Sequence, residues 1–188
     1  MLRLITPPAE EPISISEAKS HLRVEHDEDD DLIGSYVAAA RHHLEMMTGR
    51  AFVTQTWEAV CNAFSCHGME LARVPVQSVV SIKFDDVTGT EQTLPSDRYV
   101  LDNLREPAWL IAGATNGWPS TADAVNAVRV QFVAGYGAAA SVPVSIKQAM
   151  KLLVGHWYAS REAVDASGRG SELPFGVIAL ISPYRLWF

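Results

Sequence analysis

Apolar residues recur at helical spacing in two stretches of the chain and at strand spacing between them. Ile33, Tyr36 or Val37, Ala40, Leu44 and Met47 lie three or four apart, which predicts a helix of about four turns. Gly49 then supplies its stop. Ahead of it, Ser14-Ile15-Ser16-Glu17 has the S-x-x-E spacing of a capping box and predicts a short helix through about Val24. Ile146, Met150, Leu153 and Trp157 form the stripe of a third helix, which starts after Pro143 and is expected to reach about Glu162.

From Ala51 the period falls to two. Val53, Trp57, Ala59 and Cys61 alternate with Thr54, Thr56, Glu58 and Asn62, so a strand with one apolar and one wet face is expected. Val80, Ile82 and Phe84 alternate with Ser81 and Lys83, and "DDVTGT" reads as a hairpin turn into a strand at Gln92 to Leu94. Further strands are expected at Tyr99 to Leu101, Trp109 to Ile111 and Val128 to Val133.

The pattern therefore predicts an α+β fold: a small helical bundle with an inserted antiparallel β lobe and a C-terminal tail segment. The expected divisions are N-terminal helices over 1–50, the β lobe over 51–140, the long helix over 141–164, and a flexible linker with a docking tail over 165–188. "DASGRGSE" has linker composition and sets the last apolar run apart from the body. No internal repeat is visible.

Composition narrows the role. Of 188 residues, 48% are hydrophobic and 20% charged, which is globular, and the net charge of −7 includes no basic block to track a phosphate backbone. No run approaches the roughly 18 apolar residues of a membrane helix, and "MLRLITPPAEEP" lacks the apolar centre of a signal peptide, so synthesis and assembly in the cytoplasm, without a membrane, are expected. Cys61 and Cys66 alone do not make a disulfide scaffold.

Candidate chemistry is thin. The acidic run Asp27, Glu28, Asp29, Asp30 and Asp31 misses a calcium loop, because the sixth and twelfth positions counted from Asp27 are Leu32 and Ala38. Capping of the second helix accounts for it better. His21, His26, His42, His43, His67 and His156 form no H-E-x-x-H pair, and no metal site or cofactor is expected. Gly135-x-Gly137-x-x-Ala140 loosely matches a dinucleotide-binding turn, but Pro143 delays the following helix, so a glycine hinge accounts for it better and nucleotide binding stays a second reading. No nucleophile elbow is present either, and no enzyme is expected.

Aromatics remain to be housed. Trp118 lies on an expected loop, and Tyr184, Arg185, Leu186, Trp187 and Phe188 lie beyond the linker. Such groups either pack on their own domain or anchor a partner. Pro183 would stop the preceding apolar helix and aim the tail outward, as an anchor for a neighbour.

The order of features resembles a known family. "SISEAKSHLRVEHDEDDDLIGSYVAAARHHLEMMTGRAFVTQTW", "LARVPVQSVVSIKFDD", "DRYVLD", "VRVQFVAGYG" and "VPVSIKQAMKLLVGHWYASRE" are similar in sequence and order to the head-tail connector (adaptor) proteins of long-tailed phages and gene transfer agents, over residues 12 to 162. The resemblance implies a ring of twelve copies under the portal, joined below to a stopper or tail completion protein, with DNA passing through without sequence-specific contacts. It places the protein in the particle, at the head-tail interface. It also implies that the C-terminal segment reaches the portal, with a neighbouring subunit as the other docking site. An acidic lumen, for which Asp27 to Asp31 are candidates beside their reading as a helix cap, would ease the passage of DNA. A stopper or tail completion role is the neighbouring alternative.

Overall fold

The computed structural model describes residues 1–114, 117–160 and 174–186. Its chain divides into two units, one formed by Met1–Ala9 with Thr54–Tyr136 and the other by Glu10–Val53 with Gly137–Phe188. The division differs from the sequence boundaries in several places, one being that residues 137–140 join the helical unit. Residues 1–9 belong to the β unit, Ala51–Val53 belong to the helical unit, and the described part of the tail belongs to the helical unit as well.

Among the described residues the β unit contains eight strands: β1 (Leu2–Thr6), β2 (Gln55–Cys61), β3 (Met69–Leu71), β4 (Val76–Asp85), β5 (Glu91–Thr93), β6 (Tyr99–Asp102), β7 (Ala108–Ala112) and β8 (Val128–Ala134). They form two antiparallel sheets in the orders β1-β2-β8-β4-β5 and β3-β7-β6, where sequence periodicity had suggested a single lobe. Strand β8 is central and alternates cleanly: Val128, Val130, Phe132 and Ala134 are buried.

Strand β2 does not keep its expected apolar and wet faces. It lies between β1 and β8, and Gln55 and Glu58 are the buried residues. Each polar group has a partner that makes burial tolerable. Glu58 Oε2 accepts from Arg3 across the β1–β2 ladder at 2.6 Å, and Gln55 Oε1 accepts from the Trp57 indole at 3.1 Å. The Trp57 ring itself lies beneath the Arg73 guanidinium, 4.4 Å from its centroid.

In β4, Ile82 and Phe84 are buried as expected but Val80 is exposed. Val79 pairs with Phe132 and Ser81 with Gln131, so Val80 is the extra residue of a bulge and the side-chain parity shifts there. The β4–β5 turn is closed by Asp86, whose carboxylate accepts from the Thr88 hydroxyl and N–H, the Thr90 N–H and the Gln92 amide.

The helical unit contains α1 (Ile15–Leu22), α2 (Asp30–Thr48), α3 (Val144–Ala159) and α4 (Phe175–Ile181). The capping box forms as its spacing requires: the Glu17 N–H donates to Ser14 Oγ at 3.1 Å and the Ser14 N–H to Glu17 Oε2 at 2.8 Å. Helix α2 buries Ile33, Val37, Ala40 and Leu44, and α3 buries Ile146, Ala149, Met150, Leu153 and Val154. Trp157, placed in the α3 stripe by its spacing, is partly exposed and meets Tyr36 and His43 of α2. Helix α3 closes at Ser160, and the last two positions expected of it lie outside the described residues.

One carboxylate organises the end of α2. Glu45 is buried; its Oε1 accepts the Phe52 N–H at 2.8 Å and its Oε2 accepts from Arg41 at 3.1 Å. Arg41 also forks onto Glu11 at 2.7 and 3.1 Å. The chain leaving the helix is thus hydrogen-bonded back to the helix one turn before its end.

Removing one member of a buried pair leaves a charge without compensation. Glu45→Ala is therefore expected to cost about 3 kcal/mol in urea unfolding, with Glu45→Gln costing less because its amide oxygen still accepts from Phe52. A loss under about 1 kcal/mol would show that the carboxylate does not hold this junction. At the hairpin, the hydroxyl of Thr88, the amide of Gln92 and the backbone N–H groups of Thr88 and Thr90 lower the Asp86 carboxyl to about 2. Because the folded value lies below the unfolded one, the stabilisation is present above the ordinary carboxylate range and fades as pH falls through about 2. Carboxyl-carbon NMR should give that midpoint, and Thr88→Val should raise it.

Candidate assembly interface

Helix α2 ends where the sequence predicts. Gly49 has φ 73° and its N–H donates to Glu45 O at 2.9 Å, which closes the last turn in the left-handed conformation that glycine adopts at low cost. The next use of this turn was not apparent from the α2 pattern. The C-terminal segment returns to it: the Leu186 N–H donates to Thr48 O at 3.2 Å, and Arg50 Nε donates to Tyr184 O at 2.7 Å. A Cβ on Gly49 would stand 3.0 Å from Leu186 Cδ1. The Arg50 guanidinium lies 5.9 Å from the Tyr184 ring centroid.

This changes the account of the tail. The sequence reading set residues after the linker apart from the body, but α4 packs on α3, buries Val177 and Ile181 completely, and passes through a 3-10 turn at Ser182–Tyr184 into the Thr48–Arg50 corner. Apolar burial and two backbone-directed hydrogen bonds outweigh what linker composition suggested. Tyr184 and Leu186 are contacts within the chain, and Arg185 stands between them, partly exposed. Trp187 and Phe188 lie outside the described residues, as does the linker. The signal for the receiving corner was the "TGR" of Thr48-Gly49-Arg50, which reads from local pattern as a helix stop and nothing more.

The acidic run divides its work. Asp27 and Asp30 flank the Lys19 ammonium at 2.6 and 2.7 Å, joining α1 to the start of α2. Their hydrogen bonds to Lys19, Asp27's first, raise its pKa, and Lys19 in turn lowers that of Asp27. Asp29 occupies the N-cap position of α2, but its side chain makes no capping bond and accepts the Tyr158 hydroxyl of α3 instead. Asp31 lies in the first helical turn and Glu28 is exposed. An open groove of about 800 Å³ runs beside these groups, lined by Ser16, Lys19, Arg23, Glu25 and Asp27 among others.

The remaining candidates stay apart. Among the described residues no group of three or more His, Cys, Asp or Glu side chains could hold a metal ion. Gly135 and Gly137 have φ of 130° and 119° and lie where the chain passes from the β unit to the helical unit, followed by a 3-10 turn at Ala139–Ser141 rather than a helix N-terminus. Trp118 stacks on Phe64 with centroids 4.6 Å apart and planes within 4°, so it packs on its own unit. Cys61 and Cys66 are free thiols. Among the described residues no helix is long and apolar enough to cross a membrane.

Residues 12–91 match the family described as phage gp6-like head-tail connector proteins. Over its whole length the chain is similar to a chain of the virion of a native gene transfer agent particle, with TM-score 0.82, 26% identity, and coverage of 100% of this chain and 96% of that one. It is similar as well to chains of the neck of the native particle computed with C12 symmetry (0.79, 25%) and of the neck of the empty particle computed with C6 symmetry (0.78, 25%), at the same coverage. No curated protein matches it. The fold is mixed α+β, and the likenesses are to a head-tail connector family over part of the chain and to particle-neck chains over its whole length. The chain's role is that of a connector, and the reading as a nucleotide-binding protein has no support.

The tail contact predicts its own sensitivity. In Gly49→Ala the residue must hold a left-handed backbone at a cost of about 1–2 kcal/mol, and Leu186 must give way. The expected outcome is a lowered thermal midpoint and faster hydrogen exchange at the Leu186 amide. Unchanged exchange there would show that this corner does not retain the tail.

Proposed function

We propose that the protein forms a ring of twelve copies at the neck of a virion or gene-transfer-agent particle, between the portal of the filled capsid and the stopper or tail completion protein. The observation that carries this reading is the match of the entire chain, with 96% coverage on the other side, to chains from particle necks computed with cyclic symmetry. DNA would pass through the ring without sequence-specific contacts. A net charge of −7 suits such a passage, since an acidic wall repels the phosphate backbone. The groups Asp27 to Asp31 are candidates for that wall, although Asp27 and Asp30 are partly neutralised by Lys19. No catalytic step is part of the role.

The C-terminal end is the proposed contact to the portal or to the next subunit. Tyr184 and Leu186 hold its base on the chain's own Thr48–Arg50 corner, so the contact is proposed for Arg185 together with Trp187 and Phe188, which lie outside the described residues. Electron microscopy of the protein mixed with portal rings tests the reading: one added ring of density is expected, and portal rings without added density would overturn it. Truncation after Leu186 keeps the corner contacts and is expected to abolish co-sedimentation with the portal. Undiminished co-sedimentation would remove Trp187 and Phe188 from the interface.

A further inference from the structure

The β3-β7-β6 sheet has two unlike faces. Met69, Leu71, Ala108 and Leu110 are buried on one. On the other, the register sets Val100 opposite Ile111, and Trp109 between Asp102 and Glu70. Alternation along each strand keeps these groups on a common side. Val100 is 57% and Ile111 41% exposed, although they are cross-strand partners in a sheet. Arg105 spreads over the Trp109 ring at 5.2 Å. In the turn between the two strands Leu104 is 98% exposed, its N–H held by Asp102 Oδ1 at 3.3 Å. Single exposed aliphatic residues are ordinary, but a tryptophan under an arginine beside an aligned aliphatic pair, with acids at the rim, is the composition of an interface centre.

We infer that this face is one half of the contact between successive copies of the chain, which rests on the ring proposed above. A cyclic ring of twelve joins copies head to tail, so each copy offers two different patches, and the second must complement the first. The rim of the sheet face carries Glu70 and Asp102, so its counterpart should be apolar and basic. The first two turns of α3 provide such a stripe: Val144 is 81% exposed, and Lys147 and Lys151 follow it at i+3 and i+7 on the same side. Lys151 stands 3.7 Å from Glu17, so one carboxylate faces two ammonium groups and the stripe keeps a net positive charge. The sheet face of one copy thus meets the start of α3 in the next.

Charge reversal separates this contact from a general loss of structure. Val100→Lys adds a positive charge at an exposed position of the face proposed to meet Lys147 and Lys151, and ring formation on the portal is expected to fall by about tenfold or more, with the thermal midpoint unchanged. Adding Lys147→Glu to the same chain is expected to restore the ring. Undiminished rings from Val100→Lys would overturn the assignment of the sheet face, and failure of Lys147→Glu to rescue would overturn the assignment of its counterpart. If the wild-type chain adds no ring to the portal, the connector reading itself fails and takes this contact with it.

Discussion

The Glu45 carboxylate is the group on which the helical unit turns. It is buried one turn before the end of α2, compensated by Arg41 on one oxygen and by the Phe52 N–H on the other. A charge in that position is tolerable only with both partners in place. Their placement fixes how the chain leaves the helix, through a left-handed glycine and an arginine whose side chain is directed at a carbonyl of the C-terminal segment. The geometry of residues 45–52 therefore determines where residues 184–186 can rest, more than 130 positions later in the chain.

What could be read from sequence was what depends on neighbours in sequence. The Ser14–Glu17 box, the Gly49 stop, the α3 stripe and the "DDVTGT" hairpin are local devices, and each forms from residues within one or two turns. The features that escaped depend on distant partners. Glu58 looks like part of the wet face of β2 until Arg3 of β1 is placed beside it. Val80 looks inward until the bulge against Phe132 and Gln131 is counted. The tail looks detached because the corner that receives it reads, by itself, as nothing but a helix terminus.

The candidate surfaces show the same division. Asp27 to Asp31 were visible as a charge run, of which Asp30 and Asp31 lie in the first turn of α2. That Asp29 would answer Tyr158 of α3, and that Asp27 would reach back to Lys19, required the packing of three helices. The exposed face of the three-stranded sheet was hidden for a different reason. Alternation predicts which residues share a face, but Tyr99 to Asp102 and Ala108 to Ala112 give no sequence sign of which face is covered.

The first strand has an implication for how the molecule is made. Leu2–Thr6 precedes its partner Gln55–Cys61 in the chain, and the β2 edge it pairs with is completed only after α1 and α2 have been synthesised. Helices of that kind can form within microseconds from local contacts, whereas this ladder must wait for a loop of about fifty residues to close. This strand is therefore made before its partner, and the β1–β2 ladder must wait until the residues of α1 and α2 have followed.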